Sequence, residues 1–132
     1  MMNPANPAAD CLFCRWFRQA KAVATCGTVA AFNDGFPVTP GHLLIVPRRH
    51  VADGLDMNVQ ELRDSRELIE RLVARIRRDD PSVTGFNIGI NIGASAGQTV
   101  MHAHIHLIPR RDGDTDDPKG GVRGVIPGKR IY

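Results

Sequence analysis

The sequence has no long hydrophobic run, and that absence settles several expectations at once. Nothing approaches the ~20 apolar residues that a membrane-spanning helix needs, so no membrane partner is expected. Residues 1–10 are rich in Ala, Asn and Pro and lack the apolar centre of a signal peptide. They read as a flexible leader, and the cytoplasm is the expected compartment. Only three cysteines are present, Cys11, Cys14 and Cys26. That is too few for a disulfide framework and leaves thiol or metal-ligand roles. There is no long basic run with interleaved aromatics, so the net charge of +3 and pI near 9.1 suit an anionic substrate. They do not imply specific nucleic-acid binding. Internal repeats are absent, and 132 residues, 42% apolar and 23% charged, suit one compact domain.

What the chain does have is concentrated between Gly97 and Pro109, where histidines fall at 102, 104 and 106 with small or apolar residues between them. On a β-strand alternate side chains share a face, so His102, His104 and His106 point one way and Met101, Ala103, Ile105 and Leu107 the other, toward a core. On a helix, two positions correspond to about 200° and the rings would not converge. Imidazoles titrate near neutrality and repel when charged, so three in register call for a chemical reason. A pair of imidazoles two residues apart can also chelate zinc.

Around this segment the rest falls into place. Cys11-Leu-Phe-Cys14 is consistent with a redox pair, half a zinc site or two structural thiols. No strand precedes it, which weakens the redox alternative. Residues 27–32 read as a strand with a turn-like exit at Asn33-Asp34-Gly35. After Pro37 and Pro40-Gly41, residues 42–46 read as a second strand, stopped by Pro47. With no crossover helix between them, the two are expected to pair antiparallel. Residues 58–78 form the one long helix, opened by an Asn58/Glu61 capping box and ended by Pro81. Val59, Leu62, Ile69, Leu72, Val73 and Ile76 make its apolar stripe, and its charges are expected to face solvent. Residues 86–92 alternate, Phe86, Ile88, Ile90 and Ile92 opposing Asn87, Gly89 and Asn91. The loop 93–97 is small-residue and flexible, suited to bringing backbone N–H groups to an anion, though it is no Walker sequence. Residues 112–132, glycine-rich with mixed charges, form a tail that packs over the domain or a partner, or stays mobile.

Chemistry at this segment needs a nucleophile and donors for negative charge. His104, the middle ring, is best placed to attack phosphorus and form a phosphoramidate that water resolves. His106 and Gln98 are candidate donors to phosphate oxygens, and Thr99, at the loop edge, is within reach of a leaving oxygen.

The pattern Gly97-Gln98-x-x-x-His102-φ-His104-φ-His106-φ-φ, with φ apolar, resembles the signature of the histidine-triad family of nucleotide hydrolases and transferases. The stretch Phe32-Asn-Asp34-x-x-Pro37-x-x-Pro40-Gly-His42-x-Leu-x-x-Pro47 is similar to that family's strand and loop. The resemblance covers about residues 11–111, taken as the domain. It implies an α+β fold, with an antiparallel sheet of about five strands, one long helix and a short N-terminal helix, and a homodimer joined across the sheet. It implies substrates with an α-phosphate ester, anhydride or amidate, such as dinucleoside polyphosphates or nucleoside phosphoramidates, and no organic cofactor. Carried over by position, His104 is the nucleophile; His106, Gln98 and Thr99 surround the phosphate or leaving group. Asp34 holds the ribose hydroxyls unless it is only a turn residue, Asn91 lies in the same pocket, and His42 supports the triad. Cys11, Cys14, His50 and His102 resemble a zinc-binding pattern found in some members, a closed tetrahedral set with a structural role.

Two other classes compete. A purine-nucleotide-binding regulatory module would bind AMP tightly with little turnover, but every triad position here is filled. A metal-dependent enzyme of the cupin type would use the HxH pair with a nearby glutamate, and residues 107–113 contain none.

Overall fold

The structure, a computed structural model, describes residues 7–132. Residues 1–6 of the expected leader lie outside the described residues, and Pro7–Asp10 form a 3-10 turn. The α+β architecture is as expected: a five-stranded antiparallel sheet in the order β1-β2-β3-β5-β4 with a helix on each face. The strands are β1 (Ala24–Cys26), β2 (Val29–Asn33), β3 (Leu43–Pro47), β4 (Val83–Gly89) and β5 (Ile105–Arg111). The helices are α1 (Leu12–Arg18) and α2 (Val59–Asp79).

Strand parity sorts the core into two layers. Val29, Ala31, Leu43, Ile45, Ile105 and Leu107 face α2 and pack on its Leu68 and Leu72. Ala30, Phe32, Leu44 and Val46 face the other way, under Phe13, Trp16 and Phe17 of α1. Because α1 is short, it covers the β2–β3 half of that second face only, and the β5–β4 half stays open for a site.

Two sequence expectations change. Of the single strand expected over residues 27–32, Gly27-Thr28 instead form the turn of a hairpin that joins β1 to β2. Gly27 has φ +53°, a left-handed conformation that glycine adopts without strain, and a Cβ there would collide with the Asp64 carboxylate. Asp64 accepts from both the backbone N–H and the hydroxyl of Thr28, at 2.8 and 2.7 Å. The turn is therefore bolted to α2, and Asp64 is buried where a solvated charged face was expected; the capping residue Glu61 is buried too. Conversely Val59 and Leu62, placed on the apolar stripe, are exposed. The capping box is present, Asn58 and Glu61 each accepting the other's backbone N–H.

Candidate active site and metal centre

His106 reaches the open face through β5, paired with Leu44 on one side and Gly89 on the other. The glycine leaves space beside the imidazole. Upstream the strand is shorter than the sequence pattern predicts, starting at Ile105 and not near Gly97. The cause is Pro47. With Ile105 opposite Ile45, Ala103 would next fall opposite Pro47, which has no N–H to give. The Ala103 N–H instead donates to the Val51 carbonyl at 2.8 Å. His102, Ala103 and His104 stay buried, but Met101, expected inward, is 46% exposed because the chain has already left the sheet.

Hydrogen bonds fix the tautomers of His104, His42 and His106 in turn. His104 Nδ1–H donates to the His102 carbonyl at 2.8 Å, which leaves Nε2 with a free lone pair. The Val38 N–H donates to His42 Nδ1 at 3.2 Å, so the His42 proton sits on Nε2 and donates to His106 Nδ1 at 2.9 Å. His106 accordingly carries its proton on Nε2. Asp34 Oδ2 lies 3.4 Å from His42 Nε2 and 4.0 Å from His106 Nδ1. Burial pushes His42 and His106 below the usual imidazole range, with Asp34 opposing the shift in both and the neighbouring rings adding to it at His106. The His104 and His106 rings meet edge-on with centroids 5.2 Å apart. The site thus presents one ring nitrogen with a lone pair, His104 Nε2, and beside it one that donates, His106 Nε2.

His102 turns the other way. Its Nε2–H donates to the Pro47 carbonyl at 2.7 Å, leaving the Nδ1 lone pair aimed at Cys11 Sγ (3.3 Å) and Cys14 Sγ (3.5 Å). His50 Nδ1 is 3.4 Å from Cys14 Sγ, and the four ligand atoms all lie within 4.8 Å of one another. A tetrahedral zinc ion with ordinary bond lengths sets sulfur and nitrogen about 3.6 Å apart, close to these separations. Two sulfurs and two imidazole nitrogens are a closed set suited to a structural ion. Burial pushes His102 down to about 4, so the ring is neutral and ready to ligate. Burial also pushes the Cys14 thiol up to about 11, helped by Cys11, so a cation is what would make a thiolate of Cys14. A second acidic and thiol group, Cys26, Asp64 and Glu67, lies at the α2 side, with Asp64 already committed to Thr28 and Gln60.

The remaining candidates are placed as follows. Asp34 Oδ1 accepts the Phe36 N–H at 2.7 Å, a turn bond, while Oδ2 faces the imidazoles. Asn91 lines the trough that contains His42 and His106. Gln98 is buried with its amide spent on the loop: Nε2 donates to Ala52 and Val100, and Oε1 accepts from Gly93. That loop, expected to be flexible, is closed by these bonds around a 3-10 turn at Ala94–Ala96. Thr99 is exposed at its edge. Sequence reasoning did not single out Phe13, whose ring lies 5.0 Å from that of His104 and 5.8 Å from that of His102. Its position inside the Cys11/Cys14 pair was the available signal. The carbonyl of Pro47 and the N–H of Val38, which set two tautomers, leave no sequence signal.

Residues 18–113 match the HIT domain. The chain belongs to the histidine-triad (HIT) family. An uncharacterized HIT-like protein of Saccharolobus solfataricus is 36% identical over 131 residues, covering 92% of this chain and 89% of the relative. The asymmetrical bis(5'-nucleosyl)-tetraphosphatase of Schizosaccharomyces pombe is 41% identical over 85 residues, 64% of this chain and 46% of the enzyme. An AP-4-A phosphorylase of Mycobacterium tuberculosis is 34% identical over 95 residues, 71% of this chain and 48% of the enzyme. The chain therefore spans less than half the length of these two HIT relatives named as enzymes. Among solved structures, a zinc-bound histidine-triad protein of Mycobacterium smegmatis superposes with TM-score 0.72 at 31% identity, over 82% of this chain and 80% of that one. The HIT relatives include nucleotide-processing enzymes, and no helix among the described residues is long and apolar enough to cross a membrane.

Proposed function

We propose that the chain is a nucleotide hydrolase or nucleotidyl transferase. It cleaves at the α-phosphate of dinucleoside polyphosphates, such as diadenosine tetraphosphate, or of nucleoside phosphoramidates, and releases a nucleoside monophosphate. The observation that carries this reading is the bond from His104 Nδ1 to the His102 carbonyl, which leaves the His104 Nε2 lone pair beside the His106 donor. His104 Nε2 attacks the α-phosphorus, the bond to the leaving group breaks, and water then attacks the phosphoramidate and restores the ring. His106 Nε2–H stabilises the charge that develops on the phosphate. Asp34 takes the ribose hydroxyls, with Asn91 in the same pocket, and His42 holds the His106 tautomer. Thr99 stands at the leaving-group edge. Gln98 keeps the loop 93–100 in place, and a bond from it to phosphate would replace one it now makes to a carbonyl.

Cys11, Cys14, His50 and His102 would hold zinc, which when bound ties α1 to the segment leading into β5. The zinc-bound neighbour supports this reading. Residues 11–111 form the catalytic domain, with 112–132 an accessory tail. A homodimer across β4 is supported by the position of that strand at the sheet edge and by half-exposed Ile88. The compartment proposed is the cytoplasm. His104→Ala tests the reading: AMP release from diadenosine tetraphosphate and from AMP-phosphoramidate should fall at least about a thousandfold. Undiminished turnover would refute it, and tight AMP binding without turnover in the unaltered protein would favour a regulatory module.

A further inference from the structure

The two imidazoles of the sulfur–imidazole group are held in different ways. His102 Nε2–H donates to the Pro47 carbonyl at 2.7 Å, so that ring is oriented through the nitrogen turned away from the cysteines. His50 Nδ1 lies 3.4 Å from Cys14 Sγ, and its Nε2 has no hydrogen-bond partner among the described residues. A ligating imidazole is ordinarily oriented by a bond to its second nitrogen, which fixes tautomer and ring plane. At His50 that task falls to the chain on either side.

The flanking chain is pinned before and after His50. The Arg48 N–H donates to the Thr28 carbonyl at 2.9 Å, and the Val51 carbonyl accepts the Ala103 N–H at 2.8 Å. The Ala52 carbonyl accepts from Gln98 Nε2 at 2.7 Å. Arg49, next to His50, supplies the remaining anchor through its side chain. Its Nη2 donates to Glu61 Oε1 at 2.7 Å and to the Asp56 carbonyl at 3.0 Å, and its Nε donates to Glu61 Oε2 at 3.3 Å. A guanidinium that engages both carboxylate oxygens fixes direction as well as distance.

The Glu61 side chain is 2% exposed and that of Arg49 52%. Exposed pairs contribute little, but here one partner is out of water. Without Arg49 it would be a buried carboxylate bonded only to the Asn58 N–H. Burial pushes Glu61 up, and the bonds from Arg49 and the Asn58 N–H more than offset it, so the carboxyl lies below its usual range. Capping α2 does not require that charge, because Gln serves at this position of a capping box as Glu does.

We infer that Glu61 is a positioning residue for the metal centre: through Arg49 it fixes His50 where the ring completes the set with Cys11, Cys14 and His102. The inference rests on the proposed zinc site and adds α2 to the elements that set its affinity. Without the clamp, the segment carrying His50 gains freedom that zinc binding must remove, and the ion is held less tightly.

The test is the zinc dissociation constant of the full chain, measured by competition against chelators of graded strength. Glu61→Gln keeps an acceptor for the cap and removes the charge, and it should weaken zinc binding at least about tenfold. Arg49→Met, which leaves Glu61 in place, should do the same. In a His50→Ala background Glu61→Gln should change the constant less than about twofold, since its route to the ion is gone. Arg66→Met removes the exposed Arg66–Glu70 pair from the same helix and should also stay within about twofold. An affinity unchanged in either Glu61→Gln or Arg49→Met would overturn the inference while leaving the zinc site standing. An equal loss in Arg66→Met or in the His50→Ala background would overturn it too, because the effect would then run through the fold as a whole and not through His50. No zinc bound by the unaltered protein would overturn the site and the inference together.

Discussion

The Nδ1 of His104 lies 2.8 Å from the carbonyl oxygen of His102, while the ring of His102 points away to Cys11 and Cys14. One residue thus belongs to both clusters: its side chain belongs to the sulfur–imidazole group and its backbone orients the candidate nucleophile.

The sulfur–imidazole group gives the first test, of the proposed zinc site. Elemental analysis of the purified protein should find one zinc per chain, and Cys14→Ser should lose it. Removing zinc with a chelator should lower the thermal midpoint, because the ion would tie α1 to residues 50 and 102. Less than a tenth of an equivalent in protein prepared with zinc present would contradict the assignment.

Titration of the His42–His106 pair has a definite sign. Burial lowers both, so each should protonate below the ordinary value near 6.5, seen as imidazole C–H shifts by NMR. Their neutral forms favour the fold above that value, and the contribution is lost as pH falls through the depressed midpoints. A midpoint at or above 7 for either ring would contradict the lowering that burial imposes on the pair.

The Gly27–Asp64 contact should be important to stability. Gly27→Ala places a Cβ in a left-handed conformation, at roughly 1–2 kcal/mol, and against the Asp64 carboxylate as well. Asp64→Ala strands the Thr28 N–H and should lower the melting midpoint by at least about 4 °C. The Thr28 bonds hold the Asp64 carboxyl below its usual range, so its contribution is present at neutral pH and is lost in acid. An unchanged midpoint in both variants, by calorimetry, would remove the turn from the account.

The β4 edge gives a test of assembly. Ile88, 47% exposed, is the apolar residue of that strand with most to gain from a partner. Light scattering should find a dimer, and Ile88→Arg should shift it to monomer. A monomeric unaltered protein at micromolar concentration would contradict the proposed homodimer.

The Asn58 capping box and the antiparallel β2–β3 pair were legible in the sequence, one as a local cap and the other from the lack of a crossover helix. Of the expected three-histidine face only His104 and His106 stay together, and His102 turns to the cysteines. The β1–β2 hairpin was not legible, since Ala24–Cys26 is too short to show alternation and Gly27-Thr28 depends on a distant carboxylate. The burial of Asp64 and Glu61 was hidden for the same reason: their partners, Thr28 and Arg49, are far away in the chain. Of the site, the identities of the imidazoles could be read but not their tautomers, which depend on backbone groups of Val38, Pro47 and His102. The place of the tail on β4, where Gly121 lies against Asn87, had no period to announce it.

The central claim concerns one nitrogen atom. Rapid acid-free quenching of the enzyme with a slowly turned-over AMP phosphoramidate, followed by peptide mass spectrometry, should find AMP attached to His104 and nowhere else. An adduct on His102, His106 or any other side chain, or turnover with no adduct under conditions where the first step is faster than the second, would contradict it.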